Sequence, residues 1–124
     1  METRAKAFFK EANKKLNLAK EELFKPSENL LSYSVCKNSQ FAIENYLKGF
    51  LIKNGVKLEK EETIENLMQK CIEVDKDFQK IDLTAISCKG SKIDSRYCAE
   101  IETVSACYDA ADQIDTYLNK IKAI

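Results

Sequence analysis

Apolar positions recur at helical spacing from the start of the 124-residue chain. They fall at steps of three and four residues, with Lys and Glu between them, which predicts an amphipathic helix. Pro26 has no N–H to donate and restricts the residue before it, so this first helix should end near Lys25. Its apolar stripe consists of Ala5, Phe8, Ala12, Leu16, Ala19 and Leu23.

A second helix is predicted from about Leu30 to Lys53. Ser27 or Asn29 can cap its start, and Asn54-Gly55 is a left-handed stop signal. At about 100° per residue, its apolar residues cover about half of the circumference, which is wider than a one-sided surface helix needs. We therefore expect it to be the central helix, built on Leu31, Val35, Ala42, Ile43, Tyr46, Leu47, Phe50 and Leu51.

The other side of this second helix also carries apolar residues, because Leu30, Phe41 and Ile52 lie there among charged ones. Either another helix of the same chain or a two-fold dimer could cover them. In a two-fold dimer the apolar patch of one copy packs against the same patch of the other copy, and the lysines beside the patch can reach acids on the partner. We favour a homodimer, with the interface candidates Leu30, Lys37, Phe41, Lys48 and Ile52.

Three more helices are indicated downstream. One starts at Thr63 or at the acids just before it, the next ends at Gly90, and the last runs from about Thr103 to Lys122 after a loop from Lys89 to Glu100. Their apolar stripes are Ile64, Leu67, Met68, Cys71 and Ile72; Phe78, Ile81, Ala85 and Ile86; and Val104, Tyr108, Ala111, Ile114, Leu118 and Ile121. With no strand pattern and no linker, the sequence predicts an all-α bundle that forms one domain over residues 1–124.

Composition changes this picture little. Hydrophobic residues make up 44% and charged residues 32%, and 20 basic side chains balance 20 acidic ones, so no global field attracts nucleic acid or an anionic membrane. Residues 1–25 carry seven basic and four acidic side chains and residues 56–82 five and eight, an asymmetry that is usually only a solvated face. No apolar run approaches the roughly 20 residues that span a bilayer, and the N-terminus has no signal-peptide pattern, so we expect a cytoplasmic protein.

The most informative feature of the composition is that the chain has no histidine. This removes Ser-His and Cys-His nucleophile activation together with imidazole acid–base catalysis. The cysteines are odd in number and form no Cys-x-x-Cys pair. This pattern favours reduced thiols in apolar surroundings, and we expect no metal site and no cofactor. They are Cys36, Cys71, Cys88, Cys98 and Cys107.

Three segments of the sequence form a combination of motifs. In residues 40–51, Gln-Phe-Ala-Ile-Glu-Asn-Tyr-Leu-Lys-Gly-Phe-Leu, Ala and a hydrophobic residue precede Glu and a Leu-Lys pair follows, which resembles the signature of the HEPN family of domains. Residues 63–67, Thr-Ile-Glu-Asn-Leu, resemble its Thr-His-Asp-Leu helix start, and Ser95-Arg96-Tyr97 resembles its Thr-Arg-Tyr before the last helix. Together the three segments place residues 5–122 within the resemblance.

The resemblance implies an up-and-down antiparallel bundle of four to five helices. It also implies a frequent homodimer that often pairs with a small nucleotidyltransferase, in some cases as toxin and antitoxin. Catalytic members are ribonucleases in which an Arg is followed four to six residues later by His. Here residues 97–103 contain no such base, and Ile64 stands where the family has the other histidine. We therefore interpret the chain as a non-catalytic binding module.

Candidate binding residues for nucleotide or RNA are Arg96, Tyr97 and Lys48. A guanidinium offers a planar fork to phosphate, and a tyrosine ring offers a face to a base. In a structural alternative, Arg96 only pins its loop to Glu44 or another helix, with Tyr97 packed on the core. A weak metal-independent ribonuclease using the same three residues and a purely structural dimer without a small ligand also stay open.

Overall fold

The computed structural model describes residues 2–23, 32–58, 63–81 and 101–121. Within these ranges every regular element is a helix, which confirms the predicted all-α bundle. The elements are α1, Glu2–Leu23; α2, Ser32–Lys53; α3, Ile64–Val74; a short 3₁₀ helix, Lys76–Lys80; and α4, Ile101–Lys120. In this described part of the chain, no helix is both long and apolar enough to cross a membrane.

α2 is the central helix, as its wide apolar arc predicts. It packs against α1, α3 and α4. Seven of the eight residues expected on its core arc are buried, and the eighth, Leu31, lies outside the described side chains. Because full burial of a large aliphatic side chain stabilises the fold by about 1.5–3 kcal/mol, this helix supplies much of the energy that holds the bundle together.

α1 runs antiparallel to α2. Phe9 lies against Gly49, and further along α1 Lys15 lies over the ring of Phe41, so positions advance on one helix as they recede on the other. The contact at Gly49 is close, since a Cβ there would lie 2.6 Å from the ring carbon Cε1 of Phe9. Glycine at this position therefore lets an aromatic ring reach the backbone of the central helix.

Local signals fix the facing ends of α2 and α3. Gly55 adopts a φ of 77°, and α2 closes with hydrogen bonds from Gly55 N–H to the Ile52 carbonyl and from Val56 N–H to the Leu51 carbonyl. This is the Schellman arrangement that the Asn54-Gly55 stop signal predicts. At the start of α3, the Thr63 side chain accepts a hydrogen bond from Asn66 N–H at 3.0 Å, which confirms the predicted cap.

The segment after α3 differs from the predicted fourth α-helix. Asp75 adopts an extended backbone and caps the 3₁₀ helix by accepting from Asp77 N–H at 3.0 Å. Phe78 lies within this short helix, and the extended Ile81 ends it; both are buried. The remainder of the predicted helix, with Ala85 and Ile86, and the loop over residues 89–100 lie outside the described residues.

α4 agrees with the predicted last helix to within two residues at each end. Ala111, Ile114 and Leu118 are buried, as expected. Ile121 was expected on the same buried face, but it lies just beyond the helix and is 39% exposed. The helical spacing that would have turned it toward the core ends at Lys120, because the chain enters a turn there.

Candidate functional site

Lys48 is the only one of the three proposed ligand-binding residues within the described part of the chain. Its ammonium Nζ lies 2.7 Å from Glu44 Oε1, one helical turn earlier, and both side chains are partly buried. The order Glu then Lys is the favourable one for a helical ion pair. Arg96 and Tyr97 fall outside the described residues, and so does the alternative contact of Arg96 with Glu44.

The interface candidates divide between two environments. Lys37, Phe41 and Lys48 form one half-buried stripe along α2, together with Glu44. The ammonium of Lys15 lies 5.4 Å from the centre of the Phe41 ring, a distance at which a cation is attracted by the ring face. Ile52 continues the stripe by spacing but is only 3% exposed, so its own chain already buries it. Leu30 lies outside the described residues.

A hydrogen-bonded tyrosine joins α2 to α4. The Tyr46 hydroxyl is buried and donates to Asp115 Oδ1 at 2.7 Å. Asn119 Nδ2 donates to the backbone carbonyl of Asp115 at 2.8 Å and to the same carboxylate oxygen at 3.3 Å. Burial, followed by the hydrogen bond and charge of Asp115, raises the pKa of Tyr46 well above its ordinary value. This hydroxyl is therefore a neutral donor at every physiological pH.

A second tyrosine joins α4 to the end of α3. Tyr117 donates its hydroxyl hydrogen to Asp75 Oδ2. Its ring meets Phe78 edge-on at 5.1 Å, and Phe78 in turn lies 4.8 Å from Phe50. Burial first, and then the hydrogen bond to Asp75, raises the pKa of Tyr117. Asp75 thus ends α3, caps the 3₁₀ helix and holds α4 at one point.

Cys71 is a buried, unreactive thiol. Its Sγ points to the Leu47 carbonyl at 3.9 Å. Burial, with a smaller contribution from the charge of Asp75, raises the pKa of this thiol from 9.0 to about 12. Since the thiolate is the nucleophilic form, Cys71 cannot act as a nucleophile near neutral pH.

No metal centre is visible in the described ranges. No group of three or more Cys, Asp or Glu side chains there is arranged to hold a metal ion. A wide surface depression runs along α1, but its described lining, from Ala7 to Glu21, belongs to that helix alone. It is therefore the outward face of α1 and not a closed site.

Sequence reasoning missed both tyrosine–aspartate contacts. Tyr46 and Asp115 are 69 positions apart, and Tyr117 and Asp75 are 42 apart. Spacing within a helix says nothing about such distant pairs. The one available signal was chemical, because a tyrosine on a buried face usually finds a partner for its hydroxyl.

The chain matches the family model described as "HEPN domain" over residues 5–123, which is almost its entire length. No curated protein and no solved structure gives a significant match. The matched range includes the central helix and both tyrosine–aspartate contacts.

Proposed function

Because the chain belongs to the HEPN domain family, we propose that it is a non-catalytic binding module of that family. The observation that carries this proposal is the absence of histidine from all 124 residues. Proton transfer to and from the ribose 2′-oxygen and the leaving oxygen normally needs a positioned acid and base. After Arg96, where the resemblance implies a catalytic histidine, the chain offers none.

The described side chains with raised pKa values do not supply a base or a nucleophile. The pKa values of buried Tyr46, half-buried Tyr117 and buried Cys71 are all raised, so each is held in its protonated form. A general base or nucleophile needs the opposite shift. The pKa of Tyr108 is also raised, chiefly by burial.

The ligand that we propose is a nucleotide or RNA, held weakly. Arg96 would hold a phosphate through its planar fork, and Tyr97 would stack on a base. Lys48 would contribute less than its charge suggests, because Glu44 already neutralises it at 2.7 Å.

The partners that we propose are a second copy of the chain and a small nucleotidyltransferase, in a cytoplasmic, toxin–antitoxin-like pair. The half-buried stripe with Phe41 on α2 supports the homodimer. A nucleotidyltransferase in the neighbouring reading frame would support the pairing, whereas an unrelated operon would count against it.

The binding claim is tested by a fluorescence-anisotropy titration of labelled single-stranded RNA with the purified protein. We expect saturable, weak binding that Arg96→Ala reduces, because it removes a phosphate contact. Lys57→Ala is the matched control, since Lys57 is an exposed cation that has no role in the proposed site. Wild-type binding that Arg96→Ala leaves unchanged would remove Arg96 from the site, and no binding at all would refute an RNA ligand.

A further inference from the structure

The outward face of α1 carries a row of lysines, which we call the α1 lysine ridge: Lys6, Lys10 and Lys14. All three are exposed, while the opposite face of the helix buries Ala5, Ala12, Leu16 and Ala19. At about 1.5 Å per residue, the three lysines follow one another at about 6 Å, and the ridge is about 12 Å long. Lys20 is also exposed, but it lies about 120° around the helix axis from Lys14 and is not part of the row. Three basic side chains of the N-terminal segment therefore share one surface.

The ridge lysines are not neutralised by the chain itself. Lys48 pairs with Glu44, and Lys80 approaches Asp77 at 3.6 Å. Within the described part of the chain, none of the three ridge lysines has a hydrogen bond or an ion pair. The half-buried Glu11 and the exposed Glu21 are the acids that lie beside the ridge. Three unpaired ammonium groups therefore stand in solvent.

The chemistry of the ridge fits phosphate better than a protein surface. Asn13 and Asn17 lie beside the lysines, and the Asn17 amide donates a hydrogen bond to Asn13 Oδ1 at 3.2 Å. Lysine and asparagine are among the side chains that contact phosphate and sugar, whereas lysine is depleted in protein–protein interfaces. The large apolar group exposed on α1 is Leu18, which is 40% exposed, and Phe8 and Phe9 are turned partly inward.

We infer that the α1 lysine ridge binds the phosphate backbone of single-stranded RNA, without reading its sequence. Lysines about 6 Å apart along a straight helix can each meet one phosphate of an extended strand. Acids limit the ridge on the side of α4. Tyr46 lies within hydrogen-bonding reach of Asn13 on α1, and the charges of Asp112 and Asp115 on α4 are close enough to raise the pKa of Tyr46. The strand should therefore follow the axis of α1. This inference rests on the RNA-binding function proposed above and adds a second contact surface to it.

Salt dependence of binding tests the ridge. Three phosphate contacts to a single strand give a slope of log affinity against log salt of about −2.1, or roughly a 20-fold loss between about 50 and 200 mM salt. The test variant replaces the three ridge lysines by glutamine, which keeps helix propensity similar. The control variant replaces Lys57, Lys76 and Lys120 by glutamine; these lysines are exposed on other parts of the chain, so net charge changes equally.

With a labelled oligouridylate as probe, we expect the ridge variant to lose most of the salt slope and at least about tenfold in affinity at low salt. The control should stay within about twofold of wild type. Equal losses in both variants would mean that only net charge matters, and wild-type binding by the ridge variant would refute the ridge while leaving the Arg96 site standing. Competition by polyglutamate as strong as by unlabelled RNA would also overturn the inference, in favour of an acidic protein segment.

Discussion

Tyr46 connects three helices of the bundle. It belongs to α2, donates to Asp115 on α4 and lies within hydrogen-bonding reach of Asn13 on α1. A buried hydroxyl that lost this partner would carry a desolvation cost, so the contact favours one relative placement of the helices. From the sequence, Tyr46 could be assigned to the core because of its spacing, but its partner could not be identified.

The Tyr46→Phe substitution should lower the free energy of unfolding by about 1–2 kcal/mol, because it removes a hydrogen bond to a charged acceptor and leaves Asp115 without that donor. Tyr108→Phe is the control, since Tyr108 is only half-buried and should change stability by less than about 0.5 kcal/mol. Urea denaturation followed by circular dichroism measures both. Equal effects of the two substitutions would show that the Tyr46 hydroxyl contributes nothing specific.

Cys71 should make the fold sensitive to alkali. Its pKa is raised to about 12 in the folded chain from an ordinary value of 9.0, so the stability that the protonated thiol contributes is complete below pH 9 and is lost as pH rises toward 12. Between pH 9 and 10 the wild type should lose about 1 kcal/mol more than Cys71→Ala does. Denaturant titrations at both pH values test this, and parallel losses in the two proteins would contradict the burial of the thiol.

At the scale of elements, local chemistry made most helix ends predictable. Thr63 caps α3 and Gly55 ends α2 through contacts with residues close in sequence, and both do so as predicted. The 3₁₀ helix was missed because the three-residue step from Phe78 to Ile81 suits an α-helix and a 3₁₀ helix equally. What decides between them is the capping of the turn by Asp75, whose side chain also meets the distant Tyr117.

Gly55→Ala should destabilise the protein by about 1 kcal/mol, because a Cβ at a φ of 77° is strained. Gly55→Asn should cost clearly less, since asparagine tolerates the left-handed region. Nothing lies within 4 Å of a Cβ built at this position, so crowding cannot explain a difference between the variants. Thermal or chemical unfolding measures the stability of each variant. A Gly55→Ala variant as stable as the wild type would contradict the role given to this turn.

At the scale of the whole molecule, helical spacing predicted that Lys37, Phe41 and Lys48 share one stripe, because that relation is internal to α2. The burial of Ile52 could not be predicted, since it depends on how neighbouring helices cover one end of α2. The same limit applies to the α1 lysine ridge. The sequence shows a basic N-terminal segment, but only the packing of α1 shows that three of its lysines face solvent together without ion-pair partners.

Phe41→Glu should convert the expected dimer into a folded monomer, because a carboxylate buried without a partner at a subunit interface is costly. Val74→Glu is the control, since Val74 is 42% exposed on α3 and is not an interface candidate, so its substitution should leave the dimer intact. Light scattering at micromolar concentration, together with circular dichroism, measures both. A monomeric wild type would refute dimerisation, and an unfolded Phe41→Glu variant would assign Phe41 to the core of its own chain.

The central claim, that this HEPN domain binds without catalysing, is tested most directly by incubating the purified protein with structured and single-stranded RNA. RNA length is then followed on denaturing gels. We predict no cleavage above a buffer control, because the chain has no histidine, and Tyr46, Tyr117 and Cys71 are held protonated. Cleavage that persists through purification and disappears in Arg96→Ala would contradict the account and identify the protein as a ribonuclease.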